Sequence, residues 1–446
     1  MIKRLIITPF QKFVSIESFS GVLLFVVTIL AMLWANSPYG TVYESIWQYK
    51  MGVKFHNFEL IKPLFLWIND GLMAIFFFLI GLELKRELLI GELDTVKKAT
   101  FPFFAALGGI LVPIAIFLLM NNKLETSHAW GIPMATDIAF ALAILVILGK
   151  RIPLSLKVFL TAFAIIDDIG AVLVIAVFYS AAINWVLLLY AAILLLILGY
   201  LSYRNYYKKS LFLIVGIIVW LLFLKSGVHP TIAGVFLAFT IPIRQVINNK
   251  EYVTKMLGIV HRLKDNKNNE TNLLSKEQIN EIEVLESITE KVRSPLQDLE
   301  YKLHNWVAYF IIPVFVLANA GVIINTGIQM DQSLIFNIAI ALLIGKSLGI
   351  FVFSFLGVQL KLIELPTGIN FKQIFGVAVL AGVGFTMSIF IANLAFSDSI
   401  EYVSSAKIGI IIGSLISGII GYTVLRITST KITVNVINQN QNIKKQ

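Results

Sequence analysis

Hydrophobic and polar residues follow one another along this chain in long blocks. Apolar runs of about 20 residues recur almost from end to end, separated by short polar stretches. As a helix, a run of that length crosses about 30 Å of hydrocarbon, whereas membrane strands alternate apolar and polar residues over about 10 positions. The pattern predicts an all-α polytopic membrane protein with about 12 transmembrane helices. The predicted spans are 17–36, 64–88, 99–120, 129–148, 155–179, 183–201, 210–224, 227–242, 305–322, 334–358, 371–396 and 403–427.

Two neighbouring predicted spans, 210–224 and 227–242, are short. The stretch LKSGVHPTIAG between them is compatible with a turn or with a break in one long helix. Composition agrees with the class, since 58% of the residues are hydrophobic and 14% are charged. The basic amphipathic start is expected to be kept rather than cleaved as a signal peptide. The chain has no cysteine, which excludes disulfides, zinc thiolate sites and cysteine nucleophiles.

The Lys and Arg residues fall mainly on one side of the predicted membrane. With the N-terminus in the cytoplasm, 29 of the 36 lie in cytoplasmic stretches and six on the other side. This bias predicts that both termini are cytoplasmic. It also explains the net charge of +10 by orientation and by attraction to anionic membrane lipids, so no nucleic-acid partner is expected. The one basic residue left over, Lys346, falls inside a predicted span.

Four ionisable residues fall deep inside predicted spans. Lys346 lies about 12 residues into its span, or roughly 18 Å at about 1.5 Å per residue, near the bilayer midplane. Asp167 and Asp168 stand side by side in the middle of AFAIIDDIGAVLVIAVFY, and Asp137 lies inside GIPMATDIAFALAILVILG. A charge at such depth costs about 2.5–3.5 kcal/mol even on the insertion scale, and is retained mainly in cavities or pairs. We therefore expect these four residues to form the functional site.

More ordinary roles are open to some of them. Asp137 suits the N-cap of a helix that restarts after Pro133, with Thr136 helping. Lys346 suits a structural partner that neutralises one acid. One base cannot neutralise two acids, and adjacent side chains on a helix point about 100° apart, so one aspartate is expected to face a cavity and exchange protons. The sequence leaves open which aspartate pairs with Lys346.

The residue types favour ion exchange over enzymatic chemistry. Hard cations such as Na⁺ and Li⁺ prefer oxygen ligands, and a carboxylate holds either the cation or a proton, so competition for one site makes an exchanger. The sequence has no GxxxxGK[ST] loop and no HExxH pattern, so we expect no cofactor and no enzymatic activity. Two alternatives are a passive monovalent-cation channel and an intramembrane aspartyl protease. The protease requires acids on two facing helices, whereas Asp167 and Asp168 are consecutive.

Two predicted spans carry interruptions at corresponding places in the two halves of the chain. One contains Pro133, and the other contains Gly382 and Gly384, followed by Thr386. Each is the middle span of a triplet, 99–179 or 334–427, and the two triplets begin on opposite sides of the membrane. This arrangement predicts an inverted repeat of three-helix units with two interrupted, crossed helices, which is a known transporter architecture.

A set of ordered motifs gives the chain a resemblance to a known family. The segments from about residue 15 to 427 resemble the NhaA-type sodium/proton antiporters. This family is already known to have an inverted repeat. The motifs that carry the resemblance are WINDGLMAIFFFLIGLELKREL, IPMATDIAFAL, AIIDDIGAVLVIA, LKSGVHPTIAGV, IPVFVLANAGV, LLIGKSLGI and GVGFTMSIFIANLAF.

The resemblance implies a role for each residue of the expected site. Asp168 is implied as the central carrier of Na⁺ or Li⁺ and protons, with Asp167 beside it and Lys346 paired to this acidic centre. Asp137 and Thr136 are implied at the crossing of the interrupted helices. The family exports sodium in exchange for a larger number of protons and is activated at alkaline pH. The residues implied as candidates for that pH response are Glu83, Glu87, His229, Glu300 and His304.

The resemblance also implies an organisation and a location. The transmembrane domain covers 1–427, with an interface region at 37–98 and 183–243, and residues 428–446 form a cytoplasmic tail. Family members lie in the bacterial inner membrane and form homodimers through a hairpin, which here falls in about 45–62.

One stretch departs from the family pattern. Residues 244–304 form a hydrophilic cytoplasmic insertion that is longer than the usual connection. Ser275 and Gln278 predict a capping box, and the apolar residues that follow are near helical spacing, so an amphipathic helix is expected. A tolerated loop is the alternative. The apolar residues are Ile279, Ile282, Leu285, Ile288 and Val292.

Overall fold

The structure is a computed structural model that describes residues 9–56, 58–91, 95–180, 182–204, 206–245, 247–265, 274–323 and 330–429. These residues are mainly helical, which confirms the predicted class. In chain order the helices are α1 (Pro9–Ala35), α2 (Gly40–Gln48), α3 (Leu64–Trp67), α4 (Met73–Ile90), α5 (Val96–Met120), α6 (Ile138–Ile147), α7 (Leu154–Phe178), α8 (Trp185–Tyr203), α9 (Lys209–Ser226), α10 (Thr231–Thr240), α11 (Asn249–Asp265), α12 (Lys276–Val292), α13 (Pro295–Trp306), α14 (Ile312–Asn319), α15 (Gln332–Ile340), α16 (Lys346–Gln359), α17 (Phe371–Leu380), α18 (Phe385–Ala395) and α19 (Ile400–Thr428).

Shorter elements join or interrupt these helices. The π-helical segments Ile68–Leu72, Val307–Ile311 and Ala341–Gly345 keep α3–α4, α13–α14 and α15–α16 continuous. The strands β1 (Lys50–Phe55) and β2 (Phe58–Pro63) pair antiparallel, as expected of the hairpin that the resemblance places in this region. Ser127–Met134 and Gly149–Arg151 are 3₁₀ helices.

Within the described residues, nine helices are long and apolar enough to cross a membrane, and two bent helix pairs raise the number to as many as 11. The short apolar helix α10 covers the remaining predicted span. LKSGVHPTIAG is a turn, because Gly227 adopts a φ of 87° and ends α9. The helix predicted to begin at 305 begins ten residues earlier, at Pro295, where Ser294 accepts a hydrogen bond from the Gln297 N–H as an N-cap.

The chain divides into two compact units. The first contains the described residues of Met1–Asn69, Glu92–Tyr179 and Ile312–Gln446, which include both predicted triplets. Its helices α5 and α16 approach closely where Gly108 faces Gly349, since a Cβ on Gly349 would come within 2.7 Å of the Gly108 carbonyl carbon. The second unit contains the described residues of Asp70–Gly91 and Ser180–Ile311.

The predicted insertion contains two helices before α13. The capping box at Ser275 and Gln278 is present, and α12 follows it. The sequence prediction missed α11, because its polar composition gives no hydropathy signal. Ile279 was grouped with the apolar face of the amphipathic helix, but it is 45% exposed.

Candidate functional site

The first interrupted helix breaks immediately after Pro133. The 3₁₀ helix that contains this proline ends at Met134, and the backbone is extended until α6 begins at Ile138. A proline removes a backbone donor and favours the end of regular helix nearby. The break therefore leaves carbonyl groups at the end of the first half-helix and N–H groups at the start of the second.

The second interrupted helix breaks at its glycines. Helix α17 ends at Leu380, α18 begins at Phe385, and the two are bent by 45°. A Cβ on Gly382 would lie 2.6 Å from the Leu342 carbonyl oxygen, which is too close for any side chain. Glycine is thus required here because other backbone approaches the break directly.

The two breaks lie against each other and exchange hydrogen bonds. The Asp137 N–H donates to the Val383 carbonyl (2.7 Å), and the Thr136 hydroxyl donates to the Ala381 carbonyl (3.1 Å). In the same way, the Ser388 hydroxyl donates to a carbonyl of the first half-helix, that of Ile132, at 2.8 Å. Each break therefore supplies partners for backbone groups that the other leaves unsatisfied. The two interrupted helices therefore meet at their breaks.

Asp137 accepts hydrogen bonds from the N-terminal turns of both second half-helices. Its Oδ1 accepts from the Phe140 N–H of α6 at 3.2 Å. Its Oδ2 accepts from the Thr386 N–H (3.0 Å) and hydroxyl (2.5 Å) at the start of α18. Two helix N-termini carry partial positive charge, so a carboxylate between them is stabilised. The N-cap role that the sequence allowed for Asp137 is present at α6, and the same carboxylate also accepts hydrogen bonds from Thr386 at the start of α18, whose N-cap is Gly384.

Lys346 lies at the C-terminal end of the first half-helix. Its ammonium donates to the Met134 carbonyl at the end of the first half-helix, and it lies 2.8 Å from Asp167 Oδ2. Lys346 and Asp167 are fully buried. The π-helical turn Ala341–Gly345 directly precedes the lysine, and such turns are frequent at functional positions. The structure thus answers the question left by the sequence, because the lysine pairs with Asp167.

Asp168 is also buried, with 3% exposure, and lies one position further along α7. Its charge acts on Lys346 as well, although the direct pair is with Asp167. One buried ammonium therefore faces two buried carboxylates. We call Thr136, Asp137, Asp167, Asp168, Lys346 and Thr386 the crossing site.

Four of the five candidates for the pH response come together around Arg86 in the second unit. The Arg86 guanidinium lies 3.0 Å from Glu87 and 3.0 Å from Glu300. His304 Nδ1 lies 3.6 Å from Glu83 Oε1, and both side chains are buried. We call Glu83, Arg86, Glu87, Glu300 and His304 the Arg86 cluster.

The fifth candidate, His229, lies elsewhere in the second unit. Its Nε2 is 3.7 Å from Asp70 Oδ1, and its Nδ1 is 2.7 Å from the Thr231 hydroxyl. The Trp220 indole N–H donates to the Asp70 carbonyl and ties α9 to this point. His229 therefore lies beside the Asp70 carboxylate and is not part of the Arg86 cluster.

Sequence reasoning missed a network of three buried asparagines in the first unit. The Asn319 amide donates to Asn69 Oδ1 (2.9 Å) and to the Phe315 carbonyl (2.8 Å). Asn393, on α18, donates to Asn319 Oδ1 at 2.7 Å. The network ties the second interrupted helix to α14 and to the π-helical turn that holds Asn69. The sequence signal was the single asparagine in each of the apolar segments FVLANAGV and FIANLAF. Hydropathy averaged over a window of residues does not reveal such an isolated polar residue.

The crossing site also has an outer support that the sequence did not indicate. Ser414, on α19, accepts a hydrogen bond from the Gly384 N–H at 3.2 Å. This bond satisfies one more backbone donor at the second break, so a third helix helps to fix its position.

Comparison with known proteins agrees with this architecture. The family model described as Na⁺/H⁺ antiporter 1 matches residues 11–425. The Na⁺/H⁺ antiporter NhaA of Oleidesulfovibrio alaskensis is 44% identical over 428 residues, covering 95% of this chain and 94% of the relative. The NhaA of Bacteroides fragilis is 42% identical, covering 94% and 98%. That of Yersinia enterocolitica is 44% identical, covering 94% and 96%.

These relatives are named as transporters, and the match covers nearly the whole chain on both sides. The predicted resemblance is confirmed, and so is the expectation of a multi-pass membrane transport protein rather than an enzyme. The chain belongs to the Na⁺/H⁺ antiporter 1 family.

Proposed function

We propose that the protein is a secondary active antiporter that exports Na⁺ or Li⁺ in exchange for protons. It works by alternating access around the crossing site, is electrogenic, and is activated as pH rises. It lies in the bacterial inner membrane with both termini in the cytoplasm. The observation that carries the proposal is the buried ammonium of Lys346, which lies 2.8 Å from Asp167 with Asp168 buried beside it.

The proposed site binds a cation and protons in competition. Carboxylate oxygens are suitable ligands for Na⁺ and Li⁺, and the same oxygens bind a proton. Asp168 holds the proton in one half of the cycle and the cation in the other. The Thr136 hydroxyl is a further oxygen donor close to Asp167.

The pair between Lys346 and Asp167 accounts for the electrogenic step. When the cation binds, Asp167 turns towards it and the ammonium loses the partner that stabilises its charge in the buried site. Lys346 then releases its proton in addition to the one released by Asp168. More protons than sodium ions cross in each cycle, and net charge moves.

Transport by reconstituted protein tests this proposal. In proteoliposomes, addition of Na⁺ should drive proton movement that a pH-sensitive dye reports, and valinomycin with K⁺ should speed it by removing the opposing potential. Asp168→Asn should abolish the signal. The matched control is Asp398→Asn, the same change at an exposed residue. Full exchange by Asp168→Asn would sink the assignment, and Na⁺ conductance without proton coupling would favour the passive channel instead.

The Arg86 cluster supports the proposed pH response. Histidine changes its charge between about pH 5 and 8, so a protonated His304 forms an ion pair with Glu83 that is lost on alkalinisation. His304→Gln removes this pair at every pH. Activity of the variant should therefore begin at lower pH than in the wild type. His128→Gln, at an exposed histidine, is the control, and an unchanged profile for both variants would contradict the role of His304.

A homodimer through the β1–β2 hairpin is part of the proposal. The hairpin exposes apolar side chains, with Val53 at 64% and Met51 at 47% exposure, which favours contact with a second copy. A cysteine placed at Val53 should form a disulfide dimer in the membrane. A cysteine at Leu124, also exposed, should not.

A further inference from the structure

The helical hairpin α11–α12 has an internal apolar face that holds its two helices together. Ile259 of α11 is 1% exposed. Arg262 of α11 donates two hydrogen bonds to the Glu281 carboxylate of α12, at 2.7 and 2.9 Å, which is the strong bidentate arrangement. The hairpin is therefore a built element rather than a tolerated loop.

Helix α11 has a second apolar face that this packing leaves exposed. Val253, Leu257 and Val260 are 46%, 59% and 48% exposed. They are spaced four and three residues apart, so they form one stripe on the helix. On α12 the exposed apolar residues Ile279 and Val284 are five residues apart and do not share a face. We call Val253, Leu257 and Val260 the α11 stripe.

The two helices differ in charge. The segment 244–265, which contains α11, has five basic and two acidic residues, whereas 276–292, which contains α12, has two basic and five acidic residues. A helix with an apolar stripe and an excess of Lys and Arg is typical of helices that lie in a membrane interface, where anionic lipids attract the basic side chains. The acidic helix is repelled from the same surface.

The chain keeps the hairpin next to the membrane. Helix α12 ends at Val292, and the membrane span Pro295–Asn319 begins three residues later. Helix α11 begins nine residues after α10 ends at Thr240, a length that spans at most about 32 Å. The stripe therefore remains within reach of the bilayer surface.

A cavity of about 400 Å³ lies at the base of α11. Its polar lining includes Arg244, Asn248 and Gln297, and its apolar lining includes Ile90 and Ile243. A guanidinium with neighbouring amide donors suits a phosphate group, and the isoleucines suit the apolar part of a lipid.

We propose that α11 is an interfacial anchor for anionic phospholipid. The α11 stripe enters the leaflet on its own side of the membrane, which is cytoplasmic in the orientation proposed above. The cavity at Arg244 takes the phosphate of one lipid headgroup. Helix α12 faces the aqueous side.

The natural absence of cysteine makes a direct test available. The full-length protein carries one cysteine, Leu257→Cys, with an environment-sensitive fluorophore, in vesicles of phosphatidylcholine alone or mixed with phosphatidylglycerol. Lipids brominated in the acyl chain should quench this probe in the mixed vesicles and much less in phosphatidylcholine alone. The matched control is Val284→Cys, an exposed apolar position on the acidic helix, and it should stay unquenched in both.

Arg244→Gln on the Leu257→Cys background tests the cavity. It should weaken docking about five-fold, which corresponds to about 1 kcal/mol for one basic residue at an anionic surface. The measurement is the phosphatidylglycerol content at half-maximal quenching, with Lys276→Gln on α12 as the control. Equal quenching in both kinds of vesicle would overturn the role of anionic lipid, and equal quenching of the Val284 probe would overturn the orientation. A probe at Leu257 that is shielded from water but not quenched by brominated lipid would show that protein covers the stripe and would overturn the proposal.

Discussion

The crossing site and the Arg86 cluster are built from the same kinds of charged residue in different surroundings. In the crossing site, Lys346 and Asp167 have no solvent exposure. In the Arg86 cluster, the Arg86 and Glu300 side chains are 30% and 16% exposed. Taking a charge out of water costs several kcal/mol, and only a close partner with further hydrogen bonds offsets this cost. The Lys346–Asp167 pair and the Arg86–Glu300 pair therefore contribute very differently to the free energy of unfolding.

The number of partners differs as well. In the crossing site the Lys346 ammonium lies near two carboxylates, Asp167 and Asp168. Binding or release of one proton or cation therefore changes the charge balance of the other groups. In the Arg86 cluster three carboxylates, one guanidinium and one imidazole lie together. Water reaches the contact between Arg86 and Glu300, whereas His304 and Glu83 are buried. The crossing site therefore suits the binding of single cations and protons, because each one changes the charge balance of its neighbours. The Arg86 cluster suits a graded response to pH.

The largest expected effect comes from breaking the buried pair. Asp167→Asn removes the carboxylate that stabilises the Lys346 ammonium, so the lysine either keeps an unpaired buried charge or is held as the neutral amine. The free energy of unfolding should fall by up to about 3–5 kcal/mol. Thermal unfolding of the purified protein measures the loss. The double variant Asp167→Asn with Lys346→Met removes both charges and should recover most of the stability. If the double variant is as unstable as the single one, the cost lies in packing and the comparison with the Arg86 cluster fails.

The second effect concerns Asp137, which caps two helices at once. Asp137→Ala should cost about 1–4 kcal/mol, because it removes the capping acceptor of two helices and each such loss is worth about 0.5–2 kcal/mol. Asp137→Asn keeps one acceptor oxygen, which serves only one of the two helices, and should cost about half as much. Ser275→Ala, which removes the cap of α12 alone, provides the single-cap reference. An Asp137→Ala variant no less stable than Ser275→Ala would show that only one of the two caps contributes.

Much of the fold was predictable because the membrane imposes it. A helix must satisfy its own backbone in hydrocarbon, so hydropathy alone located the spans. The same argument picked out Lys346, Asp167 and Asp168, since charges are rare at such depth. It did not apply to α11, which lies outside the apolar runs, and its polar helix was missed.

The contacts inside the site were beyond the sequence. The hydrogen bond between Thr386 and Asp137 joins residues 249 positions apart, and neither sequence segment indicates that the other is its partner. Whether Lys346 pairs with Asp167 or with Asp168 depends on how α7 is rotated about its axis. The pattern of apolar residues does not determine this rotation, because both faces of α7 are apolar. Asn319 and Asn393 meet only once the second interrupted helix is in place.

The effect of salt on stability should differ between the Arg86 cluster and the crossing site. Arg86→Gln should cost about 1 kcal/mol or less at low ionic strength, since the pairs that it removes are partly exposed. Added KCl should shrink this cost, because salt screens hydrated charges. The cost of Asp167→Asn should not change with salt. Melting temperatures at low and high KCl measure both, and equal salt dependence of the two variants would contradict the difference in hydration.

The smallest effect is expected at an ion pair outside the membrane spans. Burial opposes ionisation of Asp331, but hydrogen bonds from Lys123 and from the Leu334 N–H outweigh it and hold the pKa of this carboxyl below its ordinary value. A lowered folded-state pKa means that the charge stabilises the protein at and above pH values where the unfolded chain is ionised, and that this contribution is lost as pH falls through the folded pKa.

Asp331→Asn keeps the cap of α15 but removes the charge that attracts Lys123, whose side chain is 53% exposed. The variant should be less stable than the wild type by under about 1 kcal/mol at neutral pH. Below about pH 4, the ordinary value for aspartate, the difference should shrink and then vanish, because the wild-type carboxyl is then protonated as well. Melting temperatures of both proteins between neutral and acid pH check this, with Lys123→Gln expected to follow the same course. A difference that persists in acid would mean that Asp331 acts through packing, and the ordering of the ion pairs by hydration would then not extend beyond the membrane spans.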